Sequence, residues 1–209
     1  MSKLRCDAAR NRDRLVEAAG SAFAEEGLGA PLESIAERAG VGIGTLYRRF
    51  PSRQTLVAAV FEERVVEYAR AAERALAQPD PWAGFSGYVE QICAMQAADR
   101  GAKDILTRTF PHAPELEAHR QRGYELSVRL IDRAKAAGAL RADFVPEDLL
   151  LLLMANAGVV EATAADVPHA WRRFVGYMLE AFRANGTREI PVAPSPRAML
   201  RSMLRAGRA

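Results

Sequence analysis

Three observations predict an all-α fold. Apolar residues recur at helical spacing along nearly the whole chain. No alternating stretch rich in Val, Ile and Thr reads as a strand. Glycines and prolines fall where one helix should close and the next should open. The 209 residues suffice for a core that needs no staples. Cys6 and Cys93 lie in different segments without metal-type spacing, so a reducing compartment fits better than a disulfide framework. The N-terminus lacks a signal-peptide apolar stretch. The longest apolar run, from Leu149 towards Val160, is broken by Asn156 and falls well short of the roughly 20 residues of a membrane span. The expectation is a cytoplasmic protein without membrane association.

The first helix is expected from Asp7 to Glu26, with Leu15, Ala18, Ala19, Ala22 and Phe23 on one stripe and Gly27 to end it. Pro31 sits where a first helical turn tolerates proline and opens a short helix, "LESIAERA", that Gly40 closes. A second short helix runs from Ile43 to Phe50 and stops at Pro51. Ser52 can cap a long helix that continues to the break at "QPDP". Further helices are expected over Trp82–Ala98, around Asp104–Thr109, and over Glu115–Ala137, Glu147–Ala164 and His169–Ala184. The segment "NGTREIPVAPSP" reads as irregular, and "RAMLRSMLR" as a last amphipathic turn or two, for which packing on the body is preferred to a membrane surface or DNA.

The stretch "GVGIGTLYRRFPSR", residues 40–53, carries three glycines, an aromatic and several arginines without one acid. A nucleotide-binding glycine loop would follow a strand, and a P-loop would add Lys-Ser/Thr; the preceding "SIAERAG" is helical and no such pair follows. Two short helices around a glycine turn instead make a helix-turn-helix, whose second helix can enter a DNA major groove. Gly40 supplies the left-handed turn, Val41 buries at the corner, and Gly42 is the N-cap of the second helix. Gly44 removes a side chain that would hold the helix away from DNA, which accounts for a glycine costing roughly 1 kcal/mol against alanine.

Helical geometry puts Leu46 and Phe50 on the buried side and Gly44, Tyr47 and Arg48 on another, with Thr45 and Arg49 flanking. Thr, Tyr and Arg on an open face suit phosphate contact and base-edge reading. Ile43 lies at the border, free to pack inward or to touch a thymine methyl. Net charge is only +3, but its distribution matters more. No acid lies between Glu37 and Glu62, where Arg38, Arg48, Arg49 and Arg53 stand, and Lys3, Arg5, Arg10, Arg12 and Arg14 face only Asp7 and Asp13.

The segment "PLESIAERAGVGIGTLYRRFPSRQTLVAAVF" resembles the DNA-binding segment of the TetR/AcrR family of transcriptional regulators, over about Leu15 to Phe61. The resemblance implies DNA contacts from Thr45, Tyr47, Arg48 and Arg49 on the recognition helix, and a phosphate contact from Arg53. Pro31, Gly42, Arg49 and Arg53 stand where many members have Thr or Ser, Ser, His and Lys. It also implies a three-helix DNA-binding domain, residues 1–56, joined by a long helix to a helical domain, residues 57–209, that binds a small effector and forms a homodimer. The function so implied is a non-enzymatic repressor released from operator DNA by its effector; the alternative is a helical membrane-surface or small-molecule binding protein.

For an effector pocket, polar and adaptable groups within apolar helices are the candidates: Tyr88, Met95, Arg108, Phe110, Tyr124 and Asn156. The same residue types also serve as core aromatics or surface arginines, and Asn156 could bridge a dimer interface. The helices around Leu149–Ala162 and Trp171–Phe182 are apolar on more than one stripe, with Ala155 and Gly158 permitting close helix approach at an interface. His112, Glu115 and His119 could share a helix side, but without a metal-site signature they read as exposed polar residues. Cys93 reads as a small buried hydrophobe. No cofactor or metal is expected.

Overall fold

Residues 3–98, 114–185 and 190–206 are described by the computed structural model of this chain, with side chains described between positions 10 and 203 of those segments. Nine helices occupy the described residues: α1 Lys3–Glu26, α2 Leu32–Arg38, α3 Ile43–Arg49, α4 Arg53–Leu76, α5 Pro81–Ala98, α6 Pro114–Ala136, α7 Pro146–Thr163, α8 Ala170–Phe182 and α9 Pro196–Ala206. No strand occurs among them, only an isolated bridge between Leu140 and Arg183. The expected helix at Asp104–Thr109 lies outside the described residues.

Local chemistry explains the punctuation. Gly27 ends α1 in the left-handed region, at φ 79°. Pro31 sits one position before α2, as its N-cap, rather than within the first turn. At the end of α2, Gly40 adopts φ 65°. Its N–H donates to the Glu37 carbonyl at 2.9 Å, and the Val41 N–H donates to the Ala36 carbonyl at 3.0 Å. That pair of bonds reverses the chain and satisfies carbonyls the helix leaves open. Ser52 caps α4: its Oγ accepts from the Thr55 N–H at 3.2 Å, and Thr55 Oγ1 accepts from the Ser52 N–H at 3.2 Å.

α1 packs on α4, α2 on α1 and α3 on α2, with Leu15, Phe23, Ile35, Leu46, Leu56 and Phe61 buried in the shared core. Phe23 and Phe61 stack with ring centroids 6.2 Å apart, fastening α1 to α4. α4, 24 residues and so about 36 Å long, then runs into the larger body, where α6 packs on it most extensively and α5 next. α7 and α8 pack on each other and on α5. Gly84 lets α5 turn back against the end of α4, since a Cβ there would lie 2.6 Å from the Ala75 carbonyl oxygen. Phe85, Phe144 and Phe182 form an edge-to-face ladder at that far end, with centroids 5.5 and 4.9 Å apart.

Candidate DNA-reading helix and ligand cavity

α3 presents two faces. Leu46 is fully buried, and Phe50, just past the helix, is 5% exposed; the two anchor the helix on the core. Gly44, Tyr47, Arg48 and Arg49 are exposed, Tyr47 to 48%, and Thr45 is half-exposed between the faces. Gly42 is the N-cap in extended conformation, φ −71° and ψ 150°. Ile43 is half-buried and packs against the core, which favours the inward alternative for it. A Cβ placed on Gly44 would meet nothing within 4 Å, so the glycine is not demanded by the fold around it. Arg48 and Arg49 form no ion pair with any described residue. Two cations, a phenol and a hydroxyl around a bare backbone position form a face able to meet phosphates and base edges.

Two arginines of the basic stretch are differently employed. Arg38 is neutralised by Glu25 and Glu26, each at 2.7 Å, so the apparent excess of charge at the end of α2 is smaller than the local sequence indicates. Arg53 is half-buried, and its Nη1 donates to the Leu28 carbonyl at 3.0 Å and to the Ala30 carbonyl. It thus clips the α1–α2 loop to the start of α4. Arg14 lies over the turn, where an added Cβ on Gly40 would collide with its guanidinium. Arg49 shares with Arg12, Thr55, Glu62 and Glu115 a cleft of about 370 Å³ between α1, the end of α3, α4 and the start of α6.

In the larger body, Tyr88 and Tyr124 come together on one cavity of about 50 Å³. Tyr68, His119, Arg120 and Ser127 also line it, with Val65 and leucines of α7 as apolar wall. Burial pushes the Tyr88 hydroxyl well above its ordinary pKa, with Cys93 adding to the effect. Tyr124 is raised chiefly by desolvation, then by Glu147, against an opposing influence from Arg120. Met95 is half-buried away from this cavity. Asn156, fully buried, turns to α5: its Nδ2 donates to Gln96 Oε1 at 3.0 Å and to the Cys93 carbonyl at 3.4 Å, while its Oδ1 has no partner among the described residues. Arg108 and Phe110 lie outside the described residues.

Glu115 and His119 do not converge: the first lines the cleft near Arg49, the second the tyrosine cavity, and His112 lies outside the described residues. Among the described residues no group of three potential ligands could hold a metal ion, and no helix is long and apolar enough to cross a membrane. Met199 and Met203 of α9 are buried while Arg197 and Arg201 are exposed, so the methionines of its apolar side are covered, although Leu200 stays 46% exposed. Tyr68, His119 and Ser127 carry no sequence signal as cavity residues, because each could equally face core or solvent until α4 and α6 are docked.

An unspent surface remains on α7 and α8. Leu151, Ala155 and Gly158 are exposed along one line of α7, and Gly176 and Tyr177 are exposed on α8. Cβ atoms at Gly158 and Gly176 would meet nothing within 4 Å. Such a face, apolar and small, allows close approach of a further pair of helices.

Residues 15–60 match the family model described as bacterial regulatory proteins, tetR family. Residues 80–184 match the one described as transcriptional regulator SbtR-like, C-terminal domain. Among solved structures, a TetR transcription regulatory protein from Mycobacterium vanbaalenii is 34% identical, covering 86% of this chain and 99% of its own, with a TM-score of 0.51. A TetR transcriptional regulator from Streptomyces coelicolor is 30% identical over 83% of this chain and 99% of its own, with a TM-score of 0.53. The regulator FadR from Bacillus subtilis, solved with stearoyl-CoA, is 14% identical over 84% of this chain and 99% of its own, with a TM-score of 0.65, a likeness of fold. No protein of curated function matches the sequence significantly.

Proposed function

The chain belongs to the TetR family of bacterial regulatory proteins, and we propose that it is a homodimeric repressor that holds operator DNA through α3 and releases it when a small molecule enters the helical body. The observation that carries this reading is the exposed face of α3, where Thr45, Tyr47, Arg48 and Arg49 surround Gly44 without an acid in contact. Residues 1–56 act as the reader and 57–209 as the effector-binding and dimerising body.

In this account α3 enters the major groove. Arg48 and Tyr47 reach base edges, Thr45 and Arg49 hold flanking phosphates, and Gly42 and Gly44 let the helix start come close. Ile43 supports the helix from beneath and offers the edge of its side chain to a thymine methyl. Arg53 tightens the scaffold first and adds charge towards a phosphate second. One recognition helix contacts only a few base pairs, so two are needed for a selective site. Pairing of α7 and α8 with their copies, across Leu151, Ala155, Gly158 and Gly176, would supply the second helix and dictate a pseudo-palindromic operator.

Coupling runs through α4. Ser52 and Arg53 fix its start beside α3, while Val65 and Tyr68 further along line the cavity. A ligand that enlarges the cavity moves α4 relative to α6, and a continuous helix passes that movement to α3. Changing the spacing of the two recognition helices weakens binding by a coupling of about 1–3 kcal/mol, or 5- to 150-fold. The relative from Bacillus subtilis was solved with a small molecule in complex, which supports an effector role for the body here.

Selection from a random duplex library with the purified chain tests the reading. A palindromic site bound far more tightly than scrambled DNA is the expected result. Weak binding without preference, lost as salt rises, would overturn it.

A further inference from the structure

If the helical body holds an effector, as proposed above, the residues around its cavity restrict what that effector can be. Charge comes first. Arg120 is the one guanidinium in the wall, and Glu117 occupies it bidentately, at 2.9 and 3.1 Å from Nε with a further contact to Nη2. Glu147, buried at the start of α7, acts electrostatically on Tyr124 from outside the lining. An anionic ligand would therefore meet no uncommitted arginine and two carboxylates nearby. A cationic one would find Glu117 committed to Arg120 and Glu147 outside the lining, so no carboxylate is free to pair with it. Neither charge is invited.

Polarity comes second. Tyr88 is 5% exposed, lines the cavity, and its hydroxyl makes no hydrogen bond to a described residue. That hydroxyl is not one of the sealed side-chain atoms without a partner, so it stays accessible on a cavity-lining residue, where a ligand oxygen can complete the hydrogen bond. Ser127 Oγ already donates to the Tyr124 carbonyl at 2.7 Å, so its hydrogen is spent. Tyr124, half-buried on α6, lines the same cavity. Burial keeps both phenols in their neutral, donating form.

Size comes third. The cavity holds about 50 Å³, whereas an engineered cavity of about 150 Å³ accepts benzene. The described conformation is thus contracted, and admitting even one ring requires a wall to give way. The half-buried Tyr124 and Leu150 can give way; the buried Leu149, Leu153, Tyr68 and Tyr88 cannot without unpacking the core. A compact ligand needs one such movement, and a long acyl chain needs many.

We propose that the effector is an uncharged molecule about one ring in size, carrying a hydroxyl or carbonyl oxygen that hydrogen-bonds to the Tyr88 hydroxyl. Carboxylates, phosphates, ammonium compounds and long acyl chains are excluded.

The test needs no DNA, so its failure is separate from failure of the regulator reading. The full chain is titrated by calorimetry and by thermal shift with 4-methylphenol, acetophenone, toluene, benzoate, phenyl phosphate, benzylamine and decanoate. The phenol and the ketone should bind, toluene more weakly, and the charged compounds not at all. Tyr88→Phe, which keeps the ring and the packing, should weaken 4-methylphenol about tenfold while leaving toluene unchanged. Preference for benzoate, benzylamine or decanoate, no binding by any oxygenated ring, or an unaltered phenol-to-toluene ratio in Tyr88→Phe would each overturn the proposal. Ligand binding as expected by a chain that selects no DNA site would leave this assignment standing and remove the repressor reading.

Discussion

Replacing Gly44 by alanine should make the protein more stable and worse at its task. Gly44 is the second residue of α3, exposed, with nothing within 4 Å of a Cβ built on it. Alanine therefore fits without strain and lowers the entropy lost on folding. The gain expected for glycine to alanine in a helix is about 0.5–1 kcal/mol. For a chain of this size that amounts to a rise in melting temperature of about 1–4 °C. The added methyl, however, projects from the face that carries Tyr47 and Arg48. It would stand the helix off the groove by roughly the length of a carbon–carbon bond, about 1.5 Å. Hydrogen bonds that hold between about 2.7 and 3.2 Å do not survive that displacement. Losing one base contact costs about 1–3 kcal/mol, so operator affinity should fall about 5- to 150-fold. Thermal melts and anisotropy titrations on the selected operator at one salt concentration measure both effects. A raised melting temperature with unchanged operator affinity would refute the idea that α3 approaches DNA through Gly44.

Four further outcomes are expected. Arg48→Ala should weaken the selected site by about 1–3 kcal/mol and scrambled DNA far less; equal losses would make it a phosphate contact, read from paired titrations. Arg53→Ala should lower stability by about 1.5–3 kcal/mol, the scale for hydrogen bonds from a charged group, and reduce the salt slope of binding by about 0.9; Arg53→Lys should recover the slope better than the stability. Gly158→Glu leaves the monomer fold intact, because its Cβ meets nothing, yet should convert dimer to monomer in sedimentation and abolish tight operator binding. The Cys93 thiol is pushed up to about 12 from 9.0, first by burial and then by Glu90. The folded chain keeps a proton that the unfolded chain sheds, so this contribution to stability is full below about pH 9 and is lost as pH rises towards 12. In a Cys6→Ser background a thiol reagent at pH 8 should label Cys93 only as fast as the protein unfolds; prompt labelling would contradict its burial.

How far the sequence carried the structure depended on how local each signal was. Gly40 at φ 65°, Gly42 as N-cap and Ser52 as cap of α4 each act within a few residues, so they were legible. The two faces of α3 follow from helical spacing alone, and burial of Leu46 and Phe50 agrees with it. The sequence puts Arg38 in the basic stretch, but the partners that neutralise it, Glu25 and Glu26, sit on another helix and leave no local pattern. The loop clip by Arg53 reaches back 23 and 25 residues and has no pattern in the sequence. The tyrosine cavity was only half visible. Tyr88 and Tyr124 stand out as polar groups on apolar helices, but Tyr68 and Ser127 join them through the docking of α4 on α6. Asn156 finds Gln96 60 residues away, a pairing fixed by the packing of α5 on α7.

The central claim, that α3 reads operator bases, is tested most directly by photocrosslinking from its exposed face. Benzoylphenylalanine at position 47 replaces one aromatic by another, with position 151 on α7 as a control. The account predicts light-dependent crosslinks from position 47 to bases within each half-site of the selected duplex, few to scrambled DNA, and none from position 151. Crosslinks absent from position 47 while the selected duplex remains bound, or spread equally over scrambled DNA, would contradict it.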